Sequence, residues 1–241
     1  MKSEKNLIAF VTGASRGIGY AIAQSIAPHC SHLLIASRSK ARVNAAAKRL
    51  RANTTCEIHS MWGDLASGRS FANSAKSLVK STAGTLDLLV LDAGYYVEGS
   101  LEKIRDVDFE RNMLVNCHSA HYVVSSLLPY LRESPHARIV LIGSTAAYEA
   151  YPIVPTYGIA KWALRGYAIN LRKELMKQNI GVTFISPGGT LTDMWAGEDL
   201  PPQRLLEPED IGKLVAATLT LSSQAVVEEL IVRPMLGDIH E

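Results

Sequence analysis

Cysteine is scarce in this chain of 241 residues: Cys30, Cys56 and Cys117 are odd in number, far apart and without a C-x-x-C spacing. A disulfide framework, a zinc knuckle and a dithiol redox motif are thereby excluded, and buried thiols are expected. Long apolar runs are absent too. The opening Met1-Lys-Ser-Glu-Lys-Asn6 is charged and precedes only five apolar residues, too few for a signal-peptide core or for the roughly 20 residues of a membrane span. A soluble cytoplasmic protein with no membrane partner is expected. Charge of one sign is also lacking: a formal net charge of +2 gives no global attraction for nucleic acid, so no nucleic-acid partner is expected. The densest basic run, Lys40, Arg42, Lys48, Arg49 and Arg51, falls at helical spacing with alanines between and reads as a solvated helix face. His118 and His121 share a helix face, but no carboxylate follows at metal-site spacing and the other histidines are scattered, so no metal is expected. No linker, repeat or composition shift divides the chain, which predicts one domain over residues 1–241.

What is present is a series of short β-rich apolar runs, at residues 7–11, 32–36, 56–61, 86–91, 138–142, 182–185 and 230–232, with amphipathic helical stretches between them. Nearly continuous apolar strands, each followed by a helix, imply a parallel sheet covered on both faces. The expected fold is therefore α/β: a single-domain, Rossmann-type doubly wound sheet of about seven strands. Right-handed crossovers give the strand order 3-2-1-4-5-6 with the seventh strand at the edge, and ligand sites lie at the carboxyl ends of the strands.

The first strand leads into Thr12-Gly-Ala-Ser-Arg-Gly-Ile-Gly19. A glycine-rich turn opening a helix aims backbone N–H groups and the helix dipole at one point, where a phosphate can sit. Gly13 allows the tight turn, Gly17 the close approach of a pyrophosphate and Gly19 close packing of helix on sheet. The same residues match a G-x-S-x-G nucleophile elbow at Ser15, which leaves a serine hydrolase as an alternative, with terminal His240 the only late histidine. After the second strand comes Ser37-Arg38-Ser39. A carboxylate here would take a ribose 2′-hydroxyl, whereas Arg38 together with Arg16 can clasp a 2′-phosphate, which favours NADP(H) over NAD(H). Asp64 and Leu65 follow the third strand and Asp92-Ala93-Gly94 the fourth. Candidate cofactor-binding residues at these loops are Gly13, Ser15, Arg16, Gly17, Ile18, Gly19, Ser37, Arg38, Asp64, Leu65, Asp92, Ala93 and Gly94.

Strand five ends in Gly143-Ser144, and Tyr157-Gly-Ile-Ala-Lys161 opens a long helix behind Pro155. Tyrosine and lysine four apart share a helix face, so the ammonium can approach the phenol. A free tyrosine titrates near pH 10 and is a poor acid or base at neutrality, and a nearby cation is expected to lower that value. Tyr157 is then a proton donor to a carbonyl or an acceptor from an alcohol. Ser144 can bond the substrate oxygen, and Lys161 can also hold the nicotinamide ribose.

Taken together and in this order, these motifs resemble the short-chain dehydrogenase/reductase family, whose pattern also includes Asn116 and Pro187-Gly188. The resemblance implies an NADP(H)-dependent oxidoreductase acting on a small carbonyl or alcohol. Its catalytic group would be Asn116, Ser144, Tyr157 and Lys161, with Asn116 bending its helix and holding a water in a relay with Lys161. It also implies that Pro187, Gly188, Thr190 and Thr192 bind the nicotinamide amide, and that helices within residues 108–131 and 157–177 pack a homodimer or homotetramer. Two features depart from the pattern: Asp92 replaces the usual asparagine, and the C-terminus lacks the usual glycine pair and looks closer to the branch of 3-hydroxy acid and serine dehydrogenases. Substrate determinants are expected in residues 145–155 and 189–206, where Tyr148, Tyr151, Met194 and Trp195 offer walls. Glu198, Asp199 and a lone cation, Arg204, provide no clamp for a phosphate or coenzyme A. A non-catalytic NADP(H)-binding regulator is the other alternative.

Overall fold

Strand residues alternate between two apolar faces, and this forces helices onto both sides of one sheet. The computed structural model describes residues 7–195 and 200–238. Its strands are β1 (Leu7–Thr12), β2 (Cys30–Ser37), β3 (Glu57–Trp62), β4 (Leu88–Leu91), β5 (Arg138–Ile142), β6 (Gly181–Pro187) and β7 (Glu229–Val232). All pair in parallel, in the order β3-β2-β1-β4-β5-β6-β7, which is the expected doubly wound arrangement. The helices are α1 (Gly17–Ile26), α2 (Lys40–Arg51), α3 (Arg69–Thr82), α4 (Asp106–Met113), α5 (Ser119–Leu131), α6 (Pro155–Leu175) and α7 (Pro208–Thr218).

Phe10, Leu34, Leu89, Ile139, Leu141 and Phe184 point to one face and are covered by α3, α5 and α6. Their neighbours Ala9, Val11, Leu33, Ile35, Val90, Val140 and Ile185 point to the other and are covered by α1, α2 and α7. Phe10 and Phe184 are fully or almost fully buried, so either truncation to alanine would cost about 3–5 kcal/mol. Helices α1 and α7 approach closely because residue 212 is glycine: a Cβ there would stand 2.6 Å from the Ala21 carbonyl oxygen.

Two features of the packing set up the cleft. Gly143, just past β5, lines the cleft under the Phe184 ring, where a Cβ would stand 2.2 Å from Cζ, so only a glycine fits between β5 and Ser144. Proline at the first position of α6 supplies the preset φ of a helix start. It places Tyr157 and Lys161 in the first two turns.

Cys30 and Cys56 are buried as expected, while Cys117 is half-buried, and no disulfide joins them. The basic face of α2 is solvated as expected, with Lys40, Arg42, Lys48, Arg49 and Arg51 all exposed, but some of its guanidinium groups also have partners. Arg49 stacks 4.5 Å from the Tyr20 ring and donates to the Ser15 carbonyl, Arg51 donates to the Ile58 carbonyl, and Arg42 turns towards Arg16. Nor are the remaining histidines all scattered, because the pairing of β2 with β3 brings His32 and His59 together.

Candidate active site

The carboxyl ends of β1, β2, β4 and β5 open onto a cleft of about 730 Å³, within the range of small-molecule and cofactor sites. Gly13, Ser15, Arg16, Gly17, Ile18, Ser37, Arg38, Asp64, Leu65, Asp92, Ala93, Gly94, Tyr157, Lys161 and Thr192 all line it. Gly19 is buried beneath, where it packs on the glycine turn. Asn116 lines a small adjoining hollow.

Other expected positions serve the scaffold around the cleft. Pro187 closes β6, and Gly188 donates its N–H to the Val232 carbonyl and packs against Asp238, so close that a Cβ would stand 2.7 Å from Oδ1. Thr190 is buried, with its hydroxyl on the Gly188 carbonyl. Pro187, Gly188 and Thr190 thus lie behind the cleft, and only Thr192 of that set reaches it.

The turn after β1 meets the steric demands of a pyrophosphate loop. Gly13 and Gly17 both adopt positive φ, +71° and +55°, a region costly for side-chain-bearing residues. The Thr12 hydroxyl accepts from the N–H groups of Asp92 and Ala93 at 3.2 and 3.4 Å, which fastens the loop after β4 to this turn. The Asp92 carboxylate fills the space between the two glycines: Cβ atoms on Gly13 and Gly19 would lie 2.8 and 2.6 Å from Oδ2. It also accepts from the Gly19 N–H. The residue that departs from the family pattern therefore braces the glycine turn.

At the outer end, Arg16, Arg38 and Arg42 face one another across the mouth. Partial burial, followed by the charges of Arg42 and Arg38, lowers the pKa of Arg16. Arg16 is paired with Asp193; among the described residues no ion pair engages Arg38 or Arg42. Arg42, missed in the sequence because it sits within a basic helix, is four residues from Arg38 and in the first turn of α2. Ser39 caps that helix by accepting from the Arg42 N–H. Asp64 caps its own turn through the Ala66 N–H and pairs with Arg111 at 2.7 Å. Those bonds hold its carboxyl below the usual range against the opposing effect of burial, which is the largest single influence.

At the inner end, Tyr157 hydrogen-bonds to Ser144, whose Oγ also accepts from the Ala146 N–H. Lys161, 3% exposed, donates to the Ile142 carbonyl at 2.9 Å, and its Nζ lies 5.4 Å from the Tyr157 ring centre. The expected lowering of the phenol is reversed. Burial pushes Tyr157 up to about 12, aided by the Asp92 charge and opposed by the Ser144 hydrogen bond. Burial likewise brings Lys161 down to about 8 against the pull of Asp92, and raises Asp92 to about 7 against the pull of Lys161. Spacing reports which charges are near, but not how dry the site is.

Asn116 sits in a π-helical turn, Leu114–His118, between α4 and α5. Its side-chain amide donates to the Tyr95 carbonyl at 2.6 Å and accepts from the Tyr95 N–H at 3.1 Å. It also donates to Asn112. Among the described residues no hydrogen bond joins it to Lys161. Asn112, which sequence reasoning passed over, is fully buried and donates to the Thr156 hydroxyl at 3.1 Å, one residue before the phenol. The asparagines four apart were the available signal.

The expected tyrosine walls are also displaced. Tyr148 donates to Glu229 beneath the guanidinium of Arg165, and Tyr151 bonds both Thr145 and Asp238. Arg204 donates to the carbonyls of Gly237 and Asp238. Tyr95 and Tyr96, directly after the Asp92-Ala93-Gly94 triplet, line the cleft instead. Trp195 is half-buried; residues 196–199, with Glu198 and Asp199, the Met194 side chain and His240 lie outside the described residues. No histidine is among the described residues lining the cleft that Ser15 faces, so none of them offers a serine nucleophile an imidazole base.

A parallel doubly wound sheet with a glycine turn and a Ser-Tyr-Lys cluster at one end defines a nucleotide-binding oxidoreductase. Residues 7–201 match the family described as short chain dehydrogenase, and the chain belongs to that family. It is 30% identical over 244 residues to the sepiapterin reductase of Chlorobaculum tepidum, covering 97% of this chain and 98% of that protein. The alcohol dehydrogenase of Thermococcus sibiricus complexed with 5-hydroxy-NADP superposes with a TM-score of 0.88 at 25% identity, covering 95% and 97% of the two chains. The Pseudomonas aeruginosa RhlG/NADP complex gives a TM-score of 0.88 at 27% identity and 97% coverage of each. Among the described residues no helix is long and apolar enough to cross a membrane.

Proposed function

We propose that the chain is an NADP(H)-preferring oxidoreductase that interconverts a small carbonyl compound and its secondary alcohol, with Tyr157 as the proton donor and acceptor. The observation that carries this reading is the meeting of Tyr157 and Lys161 in the same cleft as the glycine turn, with Ser144 hydrogen-bonded to Tyr157 behind the cleft lining. The turn and the start of α1 would hold the pyrophosphate, and Arg16, Arg38 and Arg42 a 2′-phosphate. The two similar solved structures carrying NADP compounds support the same preference. Bound NADPH supplies the hydride.

The protein's own part is proton delivery and alignment. A phenol raised to about 12 stays protonated at neutral pH and is available as a donor to a carbonyl oxygen. The Ser144 hydroxyl orients the same oxygen. Lys161, anchored on the Ile142 carbonyl, keeps a positive charge beside the phenol and favours the phenolate left after transfer. Asn116 and Asn112 position this group by fixing the Tyr95 backbone and Thr156. Tyr95 and Tyr96 give the substrate end apolar faces with polar tips, and Arg204 is already engaged by backbone carbonyls. This suits an uncharged oxo compound better than a hydroxy acid.

Loss of NADPH absorbance with a carbonyl panel that includes both classes tests the reading. Tight NADPH binding with no turnover on any carbonyl would favour the regulator. The half-exposed Ile159, Trp162 and Ile169 of α6 would be covered in a dimer or tetramer, and a monomeric light-scattering mass would contradict that assembly.

A further inference from the structure

Away from the cleft, three side chains with metal-binding atoms converge at the edge of the sheet. His32 on β2 is in register with Glu57 on β3, and His59 follows Glu57 by two residues, on the same sheet face. His32 Nδ1 lies 3.3 Å from His59 Nε2. Glu57 Oε2 lies 3.6 Å from the first and 3.8 Å from the second. All three ligand atoms fall within 4.8 Å of one another.

A tetrahedral zinc ion with ligand bonds of about 2.0–2.1 Å sets its ligand atoms roughly 3.3–3.4 Å apart. The observed triangle needs only a few tenths of an ångström of contraction to match. Two imidazole nitrogens that face each other also require a proton or a cation between their lone pairs. The donors are two nitrogens and one carboxylate oxygen, which suits zinc and not calcium or magnesium, whose ligands are oxygens. The imidazole side chains are 27% and 31% exposed, which is enough shelter to hold the rings and enough access for an ion to enter.

We propose that His32, Glu57 and His59 form a zinc site that ties edge strand β3 to β2, with a solvent molecule as fourth ligand. The site is structural. It is separate from the cleft, because four steps along the chain at about 3.3 Å each part His59 from Gly63, the nearest lining residue after β3. The opposing charge is Arg51, which acts on His59 and donates to the neighbouring Ile58 carbonyl; the Glu57 carboxylate offsets it.

The test uses the full chain, stripped with a chelator and dialysed against zinc chloride. One zinc per chain is expected, Co²⁺ in its place should give the visible d–d bands of a four-coordinate site, and the melting temperature should rise with zinc. His32→Gln and His59→Gln should each weaken zinc binding by more than about 100-fold, beyond the cost of losing an outer partner of a metal ligand. Glu57→Gln, at an exposed side chain that the fold does not depend on, should weaken it by about 10-fold. The double variant His118→Gln/His121→Gln should bind as wild type. Equal melting of the metal-free variants and wild type separates lost binding from lost folding. Binding of less than half an equivalent, or binding that survives both His32→Gln and His59→Gln, overturns the proposal. So does binding that disappears with His118 and His121.

Discussion

At the outer end of the cleft Arg16, Arg38 and Arg42 stand within reach of one another and of solvent, whereas at the inner end Lys161 is buried and Asp92 and Tyr157 are partly buried beside it. Water screens the outer charges, so three cations can gather there. The inner groups are each displaced chiefly by burial, with the partner's charge acting second on Asp92 and Lys161 and the Ser144 hydrogen bond second on Tyr157. The cleft thus separates recognition, which needs accessible charge, from proton transfer, which needs a dry and fixed setting.

Substitutions at each end should break different measurements. At the inner end, Tyr157→Phe removes the proton but keeps the ring, and turnover should fall by about 10²–10⁴-fold while the NADPH dissociation constant stays near wild type. Equal loss of both would show that the two ends are not separable. At the outer end, Arg38→Asp should weaken NADPH binding by about 10–100-fold, the worth of one or two charge-assisted bonds, and shift preference towards NADH. Fluorescence titration with both cofactors reads this directly.

Asp92→Asn sharpens the inner half of the comparison. A carboxyl raised to about 7 from an unfolded value near 3.9 binds more protons in the folded state between those values. Its contribution to stability is therefore largest below about pH 4 and is lost as pH rises through about 7. The asparagine variant should lack that decline and gain roughly 1–3 kcal/mol relative to wild type at pH 8, as measured by urea unfolding at pH 5 and pH 8. A wild-type stability flat over this interval would mean that Asp92 does not titrate there. The smallest effect is expected from Arg42→Ala, which should weaken NADPH binding several-fold, at about the level of a single partly screened contact. The wild type should also lose more affinity to added salt than this variant does.

The strand order and the motif residues were legible because each depends on neighbours in sequence: apolar runs for the strands, and closely spaced glycines or a tyrosine and lysine on one helix face for the site. Arg42 was hidden inside a helix whose basic residues have several destinations, two of them backbone carbonyls 34 and 7 residues away. The hydroxyls of Tyr148 and Tyr151 turned from the cleft because their partners, Glu229 and Asp238, lie 81 and 87 residues on, a distance over which spacing carries no information. The sign of the Tyr157 shift was lost for a related reason: enclosure is a property of the packed chain, not of a four-residue motif.

The short stretch beyond β7 gives that last point a wider reach. Asp238 meets Tyr151 and Arg233, crowds Gly188, and with Gly237 offers its carbonyl to Arg204, so one acidic residue ties together the stretches around Tyr151, Gly188 and Arg204. Drift at this remote position should be felt as altered discrimination between carbonyl compounds before it is felt as altered chemistry. A lineage carrying this scaffold can therefore acquire new preferences through its tail while every residue that touches the reacting atoms stays as it was.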